Sequence, residues 1–185
     1  MNHRVIGFAL LLAALSGCGG KKHYVRTDAD FSSMKTVTVL PFDNVTSDKL
    51  AGERVQRIFV SELLNLGAFD VVEPGLALRH VRKEQLDVAS LTPDEVKKLG
   101  KELKVQAIFV GALVEYDEGK GGSTPSPRVT IQLKLIETEK GKTLWSISRT
   151  GGGASLSGRL FGIGGSTAME AAENVIREEL SELGW

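Results

Sequence analysis

"QAIFVGALVEYD", residues 106–117, is apolar on both of its alternating sets, with Ile108, Val110, Ala112 and Val114 on one and Ala107, Phe109 and Leu113 on the other. Successive residues of a strand point to opposite faces, so a strand apolar on both belongs at the centre of a sheet that is covered on both sides. This reading calls for helices above and below. The preceding segment "TPDEVKKLGKEL", residues 92–103, supplies one: Thr92 with Glu95 three residues on is a capping box, Pro93 takes the first helical position, and Val96, Leu99 and Leu103 form a buried edge.

Farther upstream, Leu76 to Leu86 predicts a second helix, with Leu78, Val81 and Leu86 apolar. "FDVVE", residues 69–73, is a short strand closed by Pro74. Before it, "SDKLAGERVQRIFVSELLNLG", residues 47–67, carries a helical stripe (Val55, Phe59, Leu63, Leu66) that stops at Gly67, and Ser47 is the expected N-cap. "KTVTVLPF", residues 35–42, is a strand ended by Pro41 and the turn-forming pair Asp43-Asn44. Downstream, "EGKGGSTPSPR", residues 118–128, is a loop tip by composition. "RVTIQLKLIE" (128–137) and "KTLWSISR" (142–149) alternate as half-buried strands about a turn at Thr138–Gly141, and a second capping box, Thr167 with Glu170, opens a last helix reaching about Leu183. The expected fold is α/β of an α+β-like kind: a single mixed sheet of about five strands flanked by three to four helices. Its first strand–helix–strand unit is expected to be parallel, and its last three strands a meander.

The chain's start reads differently. Arg4, an apolar run from Val5 to Leu15 and the small pair Ser16-Gly17 form a secretory signal too short to span a membrane as a permanent helix. Leu15-Ser16-Gly17-Cys18 resembles the bacterial lipobox, which implies cleavage before Cys18 and a lipid on its sulfur. Gly19 lacks the aspartate that favours inner-membrane retention, so the same resemblance implies the outer membrane, with the domain facing the periplasm. The expected organisation is a signal peptide at 1–17, a lipidated tether at 18–34 and one periplasmic domain at 35–185. Within the tether, Gly19 to Asp30 shows no apolar period and reads as a linker.

Removing 17 of the 185 residues leaves 168, enough for one core, and sets 22 Lys plus Arg against 23 Asp plus Glu. Neither sign clusters, so no field draws in nucleic acid. A lipidated Cys18, the chain's single cysteine, removes disulfides, thiolate metal sites and cysteine nucleophiles. The mature chain's histidines are His23, in the linker, and His80, which shares a helix face with Glu84 but lacks a third metal ligand in view. No Gly-x-Ser-x-Gly elbow occurs. The carboxylate pairs Glu137/Glu139 and Glu178/Glu179 fall where acids are normally solvated. No enzyme, cofactor or metal is therefore expected.

The glycine-rich "GGGASLSGRLFGIGG", residues 151–165, leads into a helix, as phosphate loops do, but it lacks the lysine of a P-loop and the last glycine of a dinucleotide fingerprint. Nucleotide or small-ligand binding stays an alternative. Leu156, Leu160, Phe161 and Ile163 are too apolar for a plain linker, and either fold over the sheet as a flap or meet a partner, a membrane or another copy; the partner contact is favoured.

"VTVLPFDN" (37–44), "LGAFDVVEP" (66–74), and "LGKELKVQAIFVGAL" (99–113) followed by a hairpin ending in "GKTLWS" (141–146) together resemble periplasmic domains of envelope lipoproteins. That group takes in the curli-secretion (CsgG-like) lipoproteins, the penicillin-binding-protein activator LpoB and, more distantly, the N-terminal domain of TolB. The resemblance spans most of residues 35–183. It implies a non-enzymatic domain that assembles or regulates envelope machinery through protein contacts. In the curli-type member extra hairpins build a barrel. Here only the 118–128 and 151–165 segments are free for that, and neither alternates as a membrane strand of about 9 to 11 residues must.

Overall fold

The computed structural model describes residues 22–31, 34–119, 127–152 and 167–183. In chain order these form β1 (Lys22–Val25), β2 (Thr36–Val39), β3 (Asp43–Asn44), α1 (Ala51–Leu66), β4 (Asp70–Val72), α2 (Pro74–Glu84), α3 (Pro93–Leu103), β5 (Ala107–Asp117), β6 (Arg128–Glu137), β7 (Thr143–Gly152) and α4 (Ala168–Ser181). The strands make one open mixed sheet in the order β1-β7-β6-β5-β2-β4, with β3 paired to β5 beyond the end of β2. Among the described residues there are thus seven strands and four helices.

As the double apolar pattern requires, β5 lies inside the sheet. It pairs in parallel with β2 (Val37 opposite Ala107, Val39 opposite Phe109) and antiparallel with β6 over ten residue pairs. β2 and β4 are parallel through the α1 crossover, and β5-β6-β7 is a meander. One core lies between the sheet and α1 with α4. It holds Val37, Val39, Phe59, Leu63, Phe109, Leu133, Trp145 and Ile176. A second core on the opposite face joins Leu40 and Ile108 to α2 (Ala77, Val81) and α3 (Val96, Leu99, Leu103). Phe109 knits the first core together, its ring lying 5.1 Å from Phe59, 6.0 Å from Phe69 and 6.5 Å from Trp145, all three edge-on. Burying each such ring contributes on the order of 2–3 kcal/mol.

Local chemistry sets most boundaries. α3 and α4 both start in the complete capping boxes read from the sequence, Thr92/Glu95 and Thr167/Glu170. α1 ends at Gly67, whose φ of 64° is left-handed and costs glycine nothing. Pro74 both stops β4 and occupies the first turn of α2.

Three expectations are corrected. Ser47 does not cap α1: the cap position is Leu50, with no side-chain bond, while the Asp48 carboxylate accepts from the Leu50 N–H at 3.0 Å. Asp43-Asn44 is not only a turn, because past Pro41 the chain returns to the free edge of β5 as β3. The linker also contains a strand: β1 pairs antiparallel with β7, so the sheet gains an outer strand that its sparse apolar content did not announce.

Candidate anchor and interaction surfaces

Cys18 and the apolar set Leu156, Leu160, Phe161 and Ile163 lie outside the described residues. Their flanks are described. β1 opens at Lys22 opposite Ser148 and continues through His23–Ile147 and Tyr24–Ser146 to Val25–Trp145. Just past it, the Arg26 N–H donates to the Leu144 carbonyl at 2.8 Å, and Arg26 pairs with Asp28. Tyr24-Val25, both strand formers, was the only local signal for this strand.

Helices α2 and α3 cover the sheet as far as β5 and Ile136 at the end of β6. Among the described residues, the rest of that face on β6, β7 and β1 is open, and it carries Gln132, Lys134, Ser146, Ser148 and Tyr24 around a shallow depression of about 400 Å³. Toward the sheet end, the Thr130 hydroxyl donates to Glu115 at 3.0 Å and lies 2.8 Å from the Thr150 hydroxyl. Tyr24 and Val25 at one sheet edge, and Val45 and Val114 near the β3–β5 pairing, are exposed apolar side chains. None of these positions was singled out from sequence, because an exposed residue on an alternating strand carries no mark of its use.

A larger cleft of about 660 Å³ lies between α1 and α2. Phe42, Val60 and Leu78 supply apolar walls; Lys49, Glu73 and Arg82 stand with them. The cleft occupies the place where adjacent parallel strands send their connections to opposite faces, β2 to α1 and β4 to α2, which is where open α/β sheets leave a crevice. Nearby, Arg54 hydrogen-bonds Asp48, holding that carboxyl below the usual carboxylate range, and its guanidinium sits 5.5 Å from the Tyr116 ring centre. Burial pushes the Tyr116 phenol up.

The ionisable candidates are placed elsewhere than expected. His80 is not hydrogen-bonded to Glu84; its Nδ1 is 3.0 Å from Glu102 of α3, a close approach without hydrogen-bond alignment, while Glu84 pairs with Lys98. Among the described residues no group of three His, Cys, Asp or Glu converges as metal ligands would. Glu179 departs from the solvated reading: it is 2% exposed inside the α4 core, and Arg149 of β7 meets it at 2.7 Å and Glu178 at 2.9 Å. Glu139 is exposed and Glu137 half-buried, as turn positions. A second charged link, Arg177 to Glu62 at 3.1 Å, ties α4 to α1. No described helix is long and apolar enough to cross a membrane.

No protein-family model matches the sequence, and no curated protein does. Solved structures do. A PelC dodecamer from Paraburkholderia phytofirmans aligns at 21% identity over 89% of this chain and 98% of that one, with a TM-score of 0.61. Lipoprotein GNA1162 from Neisseria meningitidis aligns at 15% identity over 80% of this chain and 99% of that one, at 0.57. The LpoB C-terminal domain from Escherichia coli aligns at 16% identity over 69% and 87%, at 0.46, a likeness too partial to carry an argument. At these identities the likeness is one of fold.

Proposed function

We propose that this chain is an outer-membrane-anchored periplasmic lipoprotein, a non-enzymatic assembly, scaffold or activator component of envelope machinery that works through protein contacts. The observation that carries the reading is Leu15-Ser16-Gly17-Cys18 at the end of an apolar signal, immediately ahead of a folded domain. The fold likeness to a lipoprotein over nearly all of that protein's length supports it. Lipid on Cys18 fixes the domain to the membrane, and the open sheet face with its exposed rim is left for a partner. Cys18→Ala is expected to release the domain from the membrane fraction without altering its circular dichroism. Retention of that variant on the membrane, with no palmitate incorporated by the unaltered chain, sinks the reading.

A second reading is a subunit of an oligomeric outer-membrane secretion assembly. The likeness to a dodecameric PelC favours it, and the glycine-rich 151–165 segment would then meet neighbouring copies. Native mass measurement in detergent separates the two, since a strict monomer excludes a ring. A small-ligand role has the α1–α2 cleft as its one support. Thermal-shift screening against nucleotides and divalent metals tests it, and saturable stabilisation would replace the scaffold reading.

A further inference from the structure

The register of β1 limits how far a lipid on Cys18 lets the domain travel. Read as a linker, residues 19–30 would reach at most about 40 Å. With Lys22–Val25 hydrogen-bonded into the sheet, only Gly19, Gly20 and Lys21 separate Cys18 from the fold. That span is at most about 14 Å. Its direction is constrained too. β1 runs opposite to β7, so its N-terminal end at Lys22 points from the level of Ser148 toward that of Gly152. Four residues of strand cover about 13 Å, the same advance as from Ser148 to Gly152. Gly152 pairs with Arg128, and Arg128 with Asp117, so all three stand at one end of the sheet.

We infer that the lipid on Cys18 seats the domain end-on, with the sheet end bearing Asp117, Arg128 and Gly152 against the bilayer surface and the Thr138–Gly141 turn pointing away. The inference rests on the lipoprotein reading and adds orientation and reach to it. Described charges near this end are Asp48, Glu115, Asp117 and Glu118 against Arg54 and Arg128, net acidic, so no attraction to anionic headgroups sets the pose and the covalent anchor does. A partner must then bring its docking surface to within one domain height of the membrane.

The test uses the full lipidated chain in phosphatidylcholine vesicles carrying a headgroup nitroxide. With Cys18 acylated, a cysteine introduced by Asp117→Cys or Lys140→Cys is the only thiol available to a fluorophore. The two sites are about 30 Å apart along β6, so the label at 117 should be quenched at least about threefold more than the label at 140. A ratio near or below one overturns the end-on pose, and strong quenching at both sites, which means the domain lies on its side, does so too. Tyr24→Pro removes a ladder N–H from β1, and should bring the ratio toward one while the thermal transition of the domain remains; an unchanged ratio shows that β1 does not set the pose. Failure of the unaltered chain to float with vesicles or to carry palmitate overturns the lipoprotein reading, and the pose with it.

Discussion

The two halves of the sheet solve burial differently. In β2 and the first half of β5, side chains of both parities are buried: Thr38 beside Val37 and Val39, Ile108 beside Ala107 and Phe109. Across β6, and β7 from Trp145 on, only one parity is, so Leu133 and Leu135 are covered while Gln132 and Lys134 face solvent. Connectivity explains the difference. Parallel strands need crossovers, and the crossovers here put α1 on one face and α2 with α3 on the other. A meander needs no crossover helix, and the only later helix among the described residues, α4, adds to the face α1 already occupies. β5 shows the change within one strand, passing from buried Ile108 to Val114, which is 40% exposed.

That contrast can be broken by substitution. Phe109→Ala, at the contact of three rings on the α1–α4 side, should cost about 3–5 kcal/mol in urea unfolding, and Ile108→Ala on the opposite face about 2–4. A cost below about 1 kcal/mol at Ile108 would mean that the second face is a surface and not a core. Arg149→Ala takes its ion pair from the buried Glu179 carboxylate and should cost about 2–3 kcal/mol, less than a fully buried pair because Arg149 keeps some solvent access. The additional Glu179→Leu substitution should restore most of that loss. Thr92→Ala should cost about 1 kcal/mol through its capping box, with helix loss confined to the α3 side as read by hydrogen exchange. Lys134→Val on the open face should change stability by no more than about 0.5 kcal/mol. A loss above 1 kcal/mol there would reveal packing on a face that is open in the monomer.

What sequence alone determined were the features whose signal is local. The double apolar pattern of residues 107–114 made β5 internal, the two capping boxes started α3 and α4, and alternation from Val129 to Ile147 gave the hairpin, because each rests on side-chain spacing within a few residues. Tertiary structure alone decided β1, β3, the burial of Glu179 and the partner of His80. An outer strand is held chiefly by backbone hydrogen bonds, which every residue but proline can make, so "KHYV" needed no apolar alternation to join β7. β3 exists because β2 is short and leaves the edge of β5 unpaired beyond Phe109. Glu179 is buried because Arg149, thirty positions earlier, arrives beneath α4, and His80 meets Glu102 because two helices pack. Pairings between residues distant in sequence depend on how layers stack, which no window of the chain contains.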